Sequence, residues 1–341
     1  MAYSTGSATD LGDLLTKLDV FMVANGWTQD QFDDGVTAAG EGIVAWHKNS
    51  IYISAKWIAS APGSLSLHQA LGFIATTTDP GGHTDDSGNG YNNAFGSDAN
   101  LRSERCCSDI GDGPFVSYHF FEQDASPAYV HIVVEIESEI FRHFGWGELD
   151  KFNDWTGGEY CYGQQQDTAT NGHAADTATT SPFDALQSAS TNATAREGTT
   201  IHMEGFAHQG VNEKWLSHMG AATSIGDADN LDTAGELRQI SFGGFRGGPL
   251  YHLMQFQSDV LTGHIPLTPW AIFLNDYGNN FAYFLGSVPD IRSIDITNFS
   301  PGQEVTIGSD VWVVFPSGRR TTDGVLSRTY FQGIAYKKVT A

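Results

Sequence analysis

Twelve histidines in 341 residues are the first chemical resource of this chain. Three groups stand out. His83 with Asp85 and Asp86 offers borderline and hard metal ligands in a glycine-rich stretch. His202, Glu204 and His208 lie in the segment HMEGFAH. Their spacing is not H-E-x-x-H, and a helix does not bring histidines six apart onto one face. A strand puts all three on one face, but too spread out for one ion without a bend. Surface or interface histidines are the simpler reading of both groups, and no metal ligand is assigned. The third group is His131, His143, Glu148 and Glu159. An acid/base pair is conceivable there, yet nothing beside it marks a nucleophile or an oxyanion hole. The aromatics around it, Phe141, Phe144, Trp146, Phe152, Trp155 and Tyr160, fit a packed core or an interface better.

The familiar catalytic signatures are missing from the sequence. It has no G-x-S-x-G elbow, no G-x-x-x-x-G-K-[ST] loop and no G-x-G-x-x-G after a strand. Gly243–Pro249 (GGFRGGP) reads as a turn with no obvious helix behind it. Carboxylates are plentiful enough for a glycosidase-like pair, but sequence alone singles none out. The expectation is therefore a non-enzymatic chain with no catalytic, cofactor-binding or metal residue. Of three cysteines, Cys106 and Cys107 are vicinal, which is poor geometry for an ordinary bridge. No C-x-x-C pair suggests thiolate zinc, so free thiols are expected at Cys106, Cys107 and Cys161.

Forty acids against seventeen bases give a net charge of −23. Such a surface disfavours phosphate backbones, because affinity for them comes from lysine and arginine displacing counterions. Sequence-specific nucleic-acid binding is thus not expected. No run approaches the roughly 18 apolar residues of a membrane helix, and MAYSTGSATD does not read as a secretory leader. At 40% hydrophobic and 12% aromatic residues, the chain has material for a real core.

Positioning these residues falls mainly to strands. An amphipathic helix is read first, from Leu11, Leu14, Leu15, Leu18, Phe21 and Met22, capped by Thr9 or Asp10 and closed by Asn25-Gly26. Trp27 should fold back onto its end. Gly42–Trp57 reads as a hairpin turning at Asn49-Ser50. Phe115–Phe121 and Tyr129–Ile136 alternate as strands around Ser126-Pro127, with one face in the core and the other at an interface or in solvent. Residues 79–100 are turn chemistry and make a long exposed loop. From Gly163 to Thr200 the chain is polar, a loop or a subunit-contact arm. Further on, a short helix fits around Asn212–Met219. Strands follow near Tyr251–Gln257, Trp270–Leu274 and Phe281–Leu285. A closing meander turns at Gly308-Ser309, and its last strand is Tyr330–Val339. The fold class is mainly β, an antiparallel sandwich or meander with an N-terminal helix, with α+β as the alternative. Three regions are drawn: 1–162, the arm 163–200, and 201–341, which could pack into the same core.

Three stretches together resemble virion proteins of tailed bacteriophages. They are LLTKLDVFMVANGWT with VAWHKNSIYISAKW, then VHIVVEIESEIFRHFGWGELDKFNDWTGGEYCYG, then FLGSVPDIRSIDITNFSPGQEVTIGSDVWVVFP with a closing GIAYKK. They cover a little under a third of the chain, at its start, middle and end. The resemblance implies a structural subunit of the particle, associated with tail, baseplate or neck. It would be made in the host cytoplasm and built into the virion beside copies of itself and other tail or neck proteins. It brings no catalytic residue with it. Two other readings stay open. One is host-receptor binding through 79–100 and 163–200. The other is a tail-borne envelope polysaccharide hydrolase, for which Glu148 and Glu159 are the first residues to substitute.

Overall fold

The computed structural model describes residues 1–38, 41–58, 64–70, 106–163, 200–204, 215–217, 238–242, 267–276, 281–317 and 332–338. In chain order these form β1 (Ala2–Ala8), α1 (Leu11–Ala24), β2 (Thr28–Ala38), β3 (Glu41–Lys48), β4 (Ile51–Ile58), β5 (Ser64–Ala70) and β6 (Cys106–Asp109). Next come β7 (Phe115–Gln123), β8 (Tyr129–Glu137), β9 (Ile140–Glu148), β10 (Asp150–Lys151), β11 (Thr156–Gly163), β12 (Thr200–Glu204) and β13 (Trp215–Ser217). The last are β14 (Arg238–Phe242), β15 (Thr268–Asp276), β16 (Phe281–Asp295), β17 (Gln303–Ile307), β18 (Asp310–Pro316) and β19 (Gln332–Lys338).

The strands pair into three antiparallel sheets. A central sheet runs β1-β7-β8-β9-β11-β12-β13. An N-terminal sheet runs β2-β3-β4-β5-β6. A C-terminal sheet runs β14-β15-β16-β19-β18-β17, with β10 pairing onto β16. The chain is mainly β with one N-terminal helix, as its alternating patterns require.

Strand alternation explains the layering. On β8, Val130, Ile132 and Val134 join a core with α1, Trp27, Trp46, Ile51 and Ile53. Val133, one residue out of phase, faces Trp270, Val288, Phe315, Ile334 and Tyr336 of the C-terminal sheet. The central sheet is therefore covered on both sides, and the solvent- or interface-facing side expected for β8 is instead a second core. Burial is continuous from Tyr129 to Val134, His131 included, as a doubly covered strand requires.

Local signals hold at the helix and at the turns. Asp10 caps α1, its Oδ1 accepting from Asp13 N at 2.8 Å. Trp27 N donates to Met22 O at 3.1 Å, which folds the buried indole back under the helix end. Gly308 takes a φ of 64°, as a II′ turn asks of its first central residue. Two expectations change. A strand, β1, precedes the helix and pairs with β7. Its small polar residues carry little pattern, and it is the partner that selects the strand. Around Asn212–Met219, the described residues 215–217 are a strand rather than a helix, Trp215 lying opposite His202 and Leu216 opposite Ile201. The expectations for residues 79–100, 164–199 and 243–257 lie outside the described residues.

Candidate functional site

The alternation that layers the sheet also divides the third group of candidate residues. His131 on β8 and His143 on β9 both project toward the C-terminal sheet, and both are fully buried. Glu148 and Glu159 are direct cross-strand partners on β9 and β11, five and sixteen residues beyond His143. Five is odd, so Glu148 emerges on the opposite face. The four residues do not form one acid/base site. They form two clusters, one on each side of the central sheet.

The histidine cluster is two sets of hydrogen bonds side by side at the seam of two sheets. His131 Nε2 lies 3.1 Å from Pro289 O, and His143 Nε2 lies 2.9 Å from Pro316 O. A carbonyl can only accept, so each ring carries its proton on Nε2 and presents a bare Nδ1 when neutral. Tyr162 Oη lies 3.0 Å from His131 Nδ1, and Tyr336 Oη lies 2.8 Å from His143 Nδ1. Each hydroxyl therefore donates to its imidazole. Ring stacking reinforces both sets, with His143 on Tyr336 at 5.8 Å and 9° and Tyr129 on His131 at 4.4 Å and 22°. Burial disfavours charged imidazole and pushes both histidines down, to about 3, although the carbonyl each ring meets works the other way.

Glycine makes room for this cluster. A Cβ at Gly145 would stand 2.4 Å from Val130 O and 2.9 Å from the Tyr162 ring. The β9 backbone thus approaches β8 and Tyr162 more closely than any side chain permits. Gly157, at a φ of 108°, sits at the irregularity where β11 shifts register against β12.

The carboxylate cluster lies on the other face, beside the β3–β4 turn. His202 Nδ1 is 2.7 Å from Glu159 Oε2, and both side chains are buried. Ser50 Oγ, from the turn, lies 3.4 Å from Glu148 Oε1. Ser126 Oγ and Ala128 N reach Glu148 Oε2 at 3.2 and 3.4 Å. Burial opposes ionisation of Glu159. Hydrogen bonds from His202, its own backbone N–H and Ser50 outweigh that and hold its carboxyl below the usual range. A carboxylate held ionised beside a second one and an imidazole can hold a cationic or hydroxyl-rich ligand.

Other candidates fall apart or out of view. His202 is engaged by Glu159, and the β12 strand ends at Glu204. His83, Asp85, Asp86 and His208 lie outside the described residues. Among the described residues, no group of three His, Cys, Asp or Glu could hold a metal ion. Cys161 is buried in the helix-side core and forms no disulfide. Phe144 and Trp146 are buried within the chain, where Trp146 stacks on Trp46 at 5.9 Å. Trp155 donates its indole N–H to Leu285 O at 3.2 Å and carries Lys151 over its ring at 5.4 Å. Sequence reasoning missed Tyr162, Tyr336 and the carbonyls of Pro289 and Pro316. Their signal is non-local, since Tyr336 meets His143 across 193 residues.

No protein-family model matches the chain, and no curated protein matches it.

Proposed function

We propose that this chain is a structural subunit of a tailed-phage particle, placed at the tail, baseplate or neck and assembling with copies of itself and with neighbouring virion proteins. The observation that carries the reading is where the three phage-like stretches lie. The first supplies α1, Trp27 and the β3–β4 hairpin. The second supplies β8, β9 and β11 of the central sheet. The third, with its closing GIAYKK, supplies most of β16 together with β17, β18 and β19. Each layer is thus built around one stretch, and the stretches meet in the two inter-sheet cores. A resemblance confined to one borrowed module would occupy one layer.

Repetition in a ring would let a modest contact per subunit become durable. Electron microscopy of particles decorated with an antibody against this chain tests the placement. Label at the tail, baseplate or neck is expected, and unlabelled particles would overturn it.

The pairing of Glu148 with Glu159 favours a second reading, a tail-borne hydrolase of envelope polysaccharide. Isolated envelope material incubated with the chain would then release soluble saccharide, and Glu159→Gln would abolish the release. Absence of release by the unsubstituted chain removes this reading.

A further inference from the structure

The most exposed aromatic ring among the described residues is that of Phe152, at 53%. It lies against Phe284, itself 39% exposed, with ring centroids 5.3 Å apart and planes tilted by 44°. The loop that carries Phe152 is stapled to the C-terminal sheet. Asp150 and Lys151 pair with Ser287 and Gly286, and Phe152 N donates to Leu285 O at 2.9 Å. Trp155 Nε1 donates to the same carbonyl at 3.2 Å. Lys151 Nζ ties the loop to itself, donating to Trp155 O at 2.9 Å and to Gly157 O at 3.0 Å. A ring held out in water on a fixed backbone loses little further freedom when it is covered.

Elsewhere the chain covers aromatic faces with its own cations. Lys48 lies 5.6 Å from the Trp27 ring centroid, Lys151 5.4 Å from Trp155, Arg292 5.4 Å from Trp312 and Lys338 4.6 Å from Tyr3. Among the described residues, none does this for Phe152. Its neighbour Lys151 is turned away, onto Trp155 and the two carbonyls. Two exposed acids, Asp150 and Asp154, flank Phe152 two residues to either side. An aromatic face attracts a cation, and so does a carboxylate. The net charge of −23 adds a field of the same sense. These terms select a positive side chain, and the acids work against a second copy of this chain, which brings the same charges.

We propose that Phe152 and Phe284, with Asp150 and Asp154, form a docking site for an arginine-bearing segment of a partner protein. The planar guanidinium lies on the exposed ring, and a flanking carboxylate accepts its hydrogen bonds. Lysine, a compact and strongly hydrated charge, makes that combination less well. The site deepens the structural role proposed above by giving the chemistry of the neighbour, and it rests on that reading only for the neighbour being a virion protein.

Fluorine-19 NMR of the full chain, with 4-fluorophenylalanine at position 152 alone, tests the site. The probe is a capped glycine–arginine–glycine tripeptide at low ionic strength. The expected result is a saturable shift of the fluorine signal, weaker with the lysine tripeptide and absent with the citrulline one, which keeps the shape without the charge. Asp150→Asn together with Asp154→Asn should weaken the affinity by about twofold to fivefold, and added salt should weaken it too. With the label moved to position 284, Phe152→Leu keeps an apolar side chain and removes the ring. Its affinity should fall by about twofold to fivefold.

No saturable shift, or equal shifts from the arginine and citrulline tripeptides, would overturn the proposal. So would unchanged affinity in Phe152→Leu. A shift that grows with chain concentration alone would give the face to a second copy and overturn it as well. Saturation by soluble fragments of envelope polysaccharide, but not by the arginine tripeptide, would give it to a sugar with the same consequence. The phage reading is judged separately. A chain recovered in purified particles but blind to the tripeptide would sink the site alone, and tripeptide binding by a chain absent from particles would sink the phage reading alone.

Discussion

Lys48 and Glu122 meet where the helix end, β3 and β7 converge, 3.0 Å apart and largely shielded from water. Glu122 also accepts from the Trp27 indole at 3.3 Å, and Lys48 reaches Asn25 O at 2.8 Å. Burial raises the Glu122 carboxyl, and Lys48 offsets that only in part. Removing the cation strands a buried carboxylate, which typically costs about 3–5 kcal/mol. Lys48→Met should therefore lower the urea midpoint sharply at neutral pH, and adding Glu122→Leu should restore much of it. Glu159 behaves in the opposite sense. Its carboxyl is lowered in the folded chain, so its contribution is present above the unfolded value of about 4.5 and is lost as pH falls. Urea midpoints of the chain and of Glu159→Gln should differ most near neutral pH and converge as pH falls below the unfolded value. A gap that widened on acidification would contradict the assignment.

At the scale of elements, the helix stands on a cap that the sequence announces. Asp10→Ala should cost about 1 kcal/mol, measured by denaturant unfolding. The β9 strand depends on close approach instead. Gly145→Ala places a methyl group against Val130 O and the Tyr162 ring, and overpacking of this kind costs about 1–3 kcal/mol. Its thermal midpoint should fall, and the His131 ring signals should shift with the displaced tyrosine. What could be read beforehand follows the same division. The helix, the Asn49-Ser50 hairpin, β7, β8 and the Gly308-Ser309 turn announce themselves because period, caps and turn residues are local signals. Strand β1 does not, because AYSTGSA becomes a strand only beside β7. The sites follow suit. His131, His143, Glu148 and Glu159 stand out as residues, but strand parity sends them to opposite faces. Their partners Tyr162, Tyr336 and His202 arrive through pairings that no spacing in the sequence encodes.

At the scale of the whole molecule, the central sheet is the organising layer. It donates Val130, Ile132 and Trp146 to one core and Val133, Tyr160 and Tyr162 to the other. A third, smaller cluster around Trp312 and Phe299 covers the outer side of the C-terminal sheet. The stacked central and C-terminal sheets are joined by aromatic and tyrosine–histidine contacts. No helix among the described residues is long and apolar enough to cross a membrane. The proposed phage role joins this architecture to the three sequence stretches that contribute to it. Mass spectrometry of density-purified particles tests it most directly. Peptides of this chain should be recovered at a fixed ratio to the other tail proteins through successive purification steps. Peptides abundant in the infected-cell lysate but lost from the purified particles would contradict the account.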